Sequence, residues 1–568
     1  MKRETAKLRI LTSIMVLSTL IGGAVKAEPT NKELKIGIGQ EFENLNPMIM
    51  SMSASQYLGY MVTRSLAYIT PEGKWAVQLA KTIPSIENKL AKKEKDGTLT
   101  AKWEIIENAK WGDGVAITCD DVKFAWEIGL NENVSLASRE AYTDIKLIDV
   151  DAKNPKKCTV TYKQAKWDFY KNTPSPMPRH VEEAVFKQYG SKKEGYDTNS
   201  LYNKAPETPG LYNGPYMISE IKLGSHVSFV RNPNFYGKKA NIEKVIVKLI
   251  ANTSALEANL ASGDIDMISP VGVSFDQAIT MDKKAKAENQ PIVVNFKPSL
   301  IYEHIDMDLD HPALKDINVR HAIIQAIDRQ SMVNSLFDGK QTVALHNLAP
   351  IDPWFTNDPK KVHIYKYDRK EANKLLDVAG WKMGSDGYRS KDGKRLSLQF
   401  MTTAGNKTRE TVQTLIQSQL KSVGIEVQIK NEPARVFFGE TTSKRRYGAL
   451  AMYAWTSSPE SPSKSTLHTN QIVSAANNYT GQNYTGFSNK RVDELFDKID
   501  LEFSAAKRKT MAQEILKIYT EELPVLPLYY RAEVAVTPKN LTGYVLPGHQ
   551  FYETNNIEDW NLMSSVKK

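Results

Sequence analysis

The chain has only two cysteines, Cys119 and Cys158, in 568 residues, so no thiolate cluster can hold a metal ion. Its nine histidines form no H-E-x-x-H and no close H-x-H pair, which leaves a zinc-enzyme reading without support. A G-x-S-x-G elbow is missing. Ser461-Pro462-Ser463-Lys464 spells S-x-x-K, but the K-T-G and S-D-N partners of penicillin-recognising enzymes are absent. Gly37 and Gly39 follow a strand-like run, yet no third glycine precedes a helix, so the dinucleotide fingerprint fails as well. There is no internal repeat and no low-complexity tract. No catalytic residue, cofactor or metal is therefore expected.

Long apolar runs are also scarce. The one near the start follows Lys2, Arg3, Lys7 and Arg9, extends from Ile10 to Leu20, and is interrupted by Thr12, Ser13, Ser18 and Thr19. It is short of the roughly 20 residues that a bilayer span needs. Val25-Lys26-Ala27 then supplies small residues at cleavage spacing, the pattern of a secretory signal peptide removed after Ala27. No cysteine near that site offers a lipid anchor, so a soluble periplasmic protein is expected. Removal takes five cations and one anion, and the formal charge falls from +10 to +6. Mild, dispersed basicity is a solubility property and not a nucleic-acid footprint. In an oxidising compartment the two cysteines are free to pair, provided that their Cα atoms come within about 7 Å; the sequence leaves this open.

What is present is a series of specific phrases. Trp103 to Trp126 reads as a strand, a turn at Asp113-Gly114, and a helix opened by Thr118 and Asp121 at capping-box spacing. Leu34 to Gly39 alternates like a first strand. Asn213-Gly214-Pro215-Tyr216 and Arg231-Asn232-Pro233 punctuate paired strands. Ser262-Gly263-Asp264-Ile265-Asp266 ends a helix. Val319, Ala322, Ile323, Ala326 and Ile327 give the stretch 316–329 one apolar face, which assigns Arg320 and His321 to flanking and capping roles. Pro524 to Tyr530 reads as a buried strand. The glycine- and proline-rich stretch 191–214 reads as a connection between lobes.

In order and spacing these phrases resemble the family 5 extracellular solute-binding proteins, the periplasmic dipeptide- and oligopeptide-binding proteins of ABC importers, over nearly the whole mature chain. The resemblance implies an α/β, two-lobed periplasmic-binding-protein fold (type II-like, cluster C), with an extra small subdomain on the first lobe and two hinge strands. The implied division is 1–27 signal peptide, 28–71 first part of lobe I, 72–202 small subdomain, 203–298 second part of lobe I, 299–524 lobe II, and 525–568 the return to lobe I. It also implies a monomer that binds a peptide or small-molecule ligand and partners an inner-membrane ABC permease, with no nucleic acid involved.

Peptide-binding members hold the ligand ammonium with an aspartate after a tryptophan. Here Trp455 is followed by Thr456, Ser457 and Ser458, and Ser458 stands at the aspartate position. A hydroxyl cannot neutralise a buried ammonium, a deficit of several kcal/mol on an order-of-magnitude view. Either Glu460 or Glu43 substitutes, or the ligand has no free amino terminus and is a blocked peptide, a sugar or another amphiphile. The candidate ligand-binding residues are Glu43, Asn44, Leu45, Arg435, Trp455, Ser457, Ser458 and Glu460, with Arg435 for a ligand carboxylate and Trp455 as an aromatic wall. A periplasmic sensor or chaperone on the same fold is the alternative role.

Overall fold

Alternation along Glu33–Ile38 buries Leu34, Ile36 and Ile38 completely or nearly so, and this strand nucleates one half of the molecule. A computed structural model describes residues 33–563 apart from 41, 43, 44, 51, 137, 138, 251, 252, 434, 435, 462, 478 and 480; the signal peptide expected over 1–27 falls outside them. Glu33–Ile38 pairs in parallel with Lys244–Leu249 and with Met267–Ile268. The hairpin Tyr216–Lys222 and His226–Arg231 extends that side. On the far side, Ser397–Met401 lies parallel to Glu426–Ile429 and to Leu450–Thr456.

Two long strands join the halves into one mixed sheet of 11 strands. The first crossing strand, Ile292–Met307, and the second, Val525–Pro538, run antiparallel to each other. Their register breaks between Pro298 and Tyr302, and only residues beyond the break, Ile301 to Met307, pair with Leu450–Thr456. Two apolar cores follow, one around Ile305, Ile323 and Leu450, the other around Ile36, Tyr57 and Phe229. This is the two-lobed α/β architecture.

The phrase from Trp103 to Trp126 builds a satellite. Leu99–Glu104 sits in a four-stranded antiparallel sheet with Ala91–Lys93, Lys157–Tyr162 and Ile145–Val150. Gly114, at φ +92°, makes the turn, and Cys119–Leu130 is the helix. Cys119 and Cys158 are bonded, with Cα atoms 6.0 Å apart. Asp121 is the hub of the helix start: it accepts the Thr118 N–H at 2.9 Å, the Arg179 N–H at 3.0 Å and the Trp111 indole N–H at 3.3 Å. Burial pushes its carboxyl up, and these donors pull it back. Asp121→Asn is expected to lower subdomain stability by about 1–2 kcal/mol, since an amide cannot accept all three bonds as a carboxylate does; urea unfolding followed by tryptophan fluorescence measures it.

The stretch 191–214 is not a connection between lobes. It carries short helices at Gly195–Asn199, Leu201–Lys204 and Pro209–Leu211, and Tyr196, Tyr202 and Tyr212 are buried in the lobe I core. Its glycines and prolines shape tight turns around those three aromatic anchors.

Candidate ligand cleft

Side chains alternate across a strand, so the crossing strands present two different faces. Ile301 and Glu303 of the first strand join Tyr529, Arg531, Ala532, Glu533 and Val534 of the second to floor a cavity of about 720 Å³. Lobe I supplies Gln40, Ser53 and Tyr552 to its walls, and lobe II supplies Phe337, Asn406 and Arg409. A space walled by both lobes and floored by the strands that join them is where closure can trap a solute.

The cavity is strongly ionic. Glu303 is almost fully buried and receives Arg409 through Nε at 2.5 Å and Nη2 at 3.4 Å. Arg531 leans towards the same carboxylate, its Nη1 3.9 Å from Oε2. At the lobe I end, burial pushes the Glu533 carboxyl up to about 7, opposed by the Gly548 N–H and by Arg531. Behind it burial also drives Glu553 up to about 8, and Glu553 accepts the Tyr544 hydroxyl at 3.3 Å.

The opposite face holds the aromatic wall. Tyr302 opposes both Trp455 and Tyr530 in register, and Trp455 stacks on Tyr484 with centroids 6.1 Å apart. Tyr453 meets Trp455 edge-on at 5.5 Å, and its hydroxyl donates to Asp306. Among the described residues, Ser397–Met401 pairs with Leu450–Thr456 only at Leu450 and Ala451, so from Tyr453 onward that edge of the strand has no strand beside it.

The remaining candidates separate. Glu43, Asn44 and Arg435 lie outside the described residues. Leu45 is 1% exposed in the lobe I core and has no side-chain surface to offer a ligand. The Ser457 hydroxyl donates to Leu300 O at 3.1 Å. The Ser458 hydroxyl donates to Gln550 of the C-terminal return at 2.9 Å, which makes it an interlobe contact. Glu460 donates its N–H to Asp352 and acts electrostatically on Lys171 and Arg508, so two cations already compete for its charge. Arg320 spends its guanidinium on the carbonyls of Leu314, Lys315 and Glu522, as capping requires. Glu303, Arg409, Arg531 and Glu533 carried no motif in the sequence; period-2 alternation within Val525–Pro538 was the one signal that could have pointed to the last two.

A sequence profile of the bacterial extracellular solute-binding proteins, family 5 (middle region), matches residues 85–472. The oligopeptide-binding protein AppA of Bacillus subtilis is 27% identical over 99% of this chain and 100% of its own length. The nickel-binding periplasmic protein of Escherichia coli is 24% identical, covering 80% of this chain and 85% of its own. The crystal structure of an oligopeptide binding protein from Thermus thermophilus, complexed with a pentapeptide, superposes with a TM-score of 0.72 at 27% identity, over 95% of this chain and 98% of that one. The chain belongs to the bacterial extracellular solute-binding proteins of family 5.

Proposed function

We propose that the protein is the periplasmic substrate-binding component of an ABC importer, not an enzyme, and that it takes a peptide into the interlobe cleft and presents the closed form to an inner-membrane permease. In this reading the signal peptide leaves after Ala27, and the lobes divide at 71/72, 202/203, 298/299 and 524/525. The observation that carries it is the cavity of about 720 Å³ walled by both lobes and floored by the crossing strands. The open edge beyond Tyr453 supports a peptide in particular, because an extended backbone can add to it as a strand. Ligand contacts to both lobes favour closure, so binding and closure are one equilibrium.

Mass spectrometry of the solutes that co-purify with the mature protein is expected to find peptides. After unfolding and refolding to remove them, the same peptides raise the melting temperature and shrink the scattering radius. Peptides that neither raise the melting temperature nor close the lobes would sink the proposal. Trp455→Ala is expected to weaken peptide binding roughly tenfold in calorimetry, because Trp455 stands at the open strand edge on which an extended backbone would add and one aromatic anchor is lost. The nickel-binding relative and the serine at position 458 favour one second reading, a non-peptide solute; its signature is a co-purifying chelate, sugar or blocked peptide.

A further inference from the structure

The missing aspartate leaves a chemical question: which group of this chain meets a positively charged ligand. Ser458 is bonded to Gln550, and Glu460 already faces Lys171 and Arg508. Glu303 is spent on Arg409. Glu533 is different. It lines the cavity from the second crossing strand, and its Oε2 is buried with no hydrogen-bond partner. A buried carboxylate oxygen without a donor is costly unless something else supplies the donor.

We propose that Glu533 is the anchor for an alkylammonium group of the ligand, taking over at the floor of the cleft the task that Ser458 cannot perform. The inference rests on the peptide reading above.

The surroundings fit this assignment. Arg531, two residues along the same strand face, leans to Glu303. Lys297 stands opposite Glu533 in register, but the pair forms no ion pair among the described residues, and the Lys297 Cγ lies against Gly548. Tyr552 and Tyr544 feel the Glu533 charge from the C-terminal return. Glu553, pushed up to about 8, is mostly protonated at neutral pH and does not compete as a second anion. An ammonium can donate to Oε2 and neutralise the carboxylate at once, and a charge-assisted bond of this kind is the strong class.

Protonation supplies an independent readout. With its carboxyl pushed up to about 7, the empty site is half protonated near neutrality, and only the ionised form gives an ammonium its ionic partner. Affinity for ammonium-bearing peptides therefore rises with pH up to about 7 and falls below it towards the level of Glu533→Gln, on the order of tenfold in all. A terminal amine stays charged throughout that range, its ordinary value being about 7.7–8.0.

The experiment uses the refolded full-length mature protein and a pool of random tri- to hexapeptides, half of them Nα-acetylated, with retained species identified by mass spectrometry. Wild type is expected to enrich ammonium-bearing peptides at least about tenfold over blocked, lysine-free ones. Enrichment of free-amine peptides assigns the terminus as the source, and enrichment of acetylated lysine peptides assigns the side chain. Glu533→Gln, which is isosteric, is expected to abolish the preference and flatten the pH dependence while still retaining peptides. Unchanged enrichment in Glu533→Gln, or wild-type retention that is flat from pH 5 to 7, overturns the proposal while leaving the peptide reading standing. Retention of no peptide by wild type overturns both.

Discussion

Trp167→Ala is expected to weaken ligand binding on the order of 100-fold while leaving each lobe folded. Trp167 lies six residues beyond Thr161 of the strand Lys157–Tyr162, yet it is 5% exposed in an apolar cluster drawn, apart from Val525, from lobe II. Its ring packs on Trp354 at 6.3 Å, Arg508 lies 3.6 Å from the ring centre and Lys171 4.3 Å. Its backbone N–H donates to Asp500 O at 3.0 Å. Every partner except Lys171 sits across the cleft, so separating the lobes returns the indole to water. Truncating a buried tryptophan costs about 3–5 kcal/mol, and here the cost falls on the closed form alone. The closed-to-open ratio then drops by about two to four decades, and apparent affinity follows the closed fraction, so a loss of about 100-fold is the lower end. Calorimetry with the co-purified peptide and scattering of the bound protein test this. A wild-type dissociation constant in the variant would show that Trp167 is equally buried in both forms.

The local elements were legible because each is set by its own residues. Thr118 and Asp121 open a helix at Cys119, Gly263 sits at positive φ just past the helix that ends at Ser262, and Pro524 to Tyr530 leads into the strand Val525–Pro538. Composition misled where it described turns and not what the turns enclose: the glycines and prolines of 191–214 hide three core tyrosines. The cleft was legible only through the family resemblance. The alternation in R-A-E-V-A-V marks Arg531 and Glu533 as the polar positions of that strand, but not what they face, which depends on the register break between Pro298 and Tyr302. Trp167 meets Arg508 across 341 positions of sequence, a pairing that periodicity cannot see. The site candidates were read from 43–45, Arg435 and the stretch 455–460, whereas the ionic floor comes from the two crossing strands, of which only Pro524 to Tyr530 was read, and as a buried strand.

Removing the disulfide, as Cys119→Ala with Cys158→Ala or by reduction, is expected to cost about 4 kcal/mol, from the loop-entropy relation for a closure of this size. The bond spans 39 positions and ties the first residue of the capped helix to the strand Lys157–Tyr162, where Cys158 opposes Trp103 in register. The subdomain core is small, built around Trp103, Trp111, Val122 and Val160, and a small core leaves little margin. The loss is therefore expected in this unit and not in the 11-stranded sheet. Calorimetric unfolding would separate a low-temperature transition from the main one, and amide exchange would quicken in Leu99–Glu104 and Lys157–Tyr162 while Val525–Pro538 stays protected. The same strand leads directly to Trp167, so loosening it also misplaces the residue that docks on lobe II. Reduced protein should accordingly bind more weakly than oxidised protein even at temperatures where both are folded. Equal affinities with a lowered first transition would separate the staple from the latch and confine the disulfide to stability.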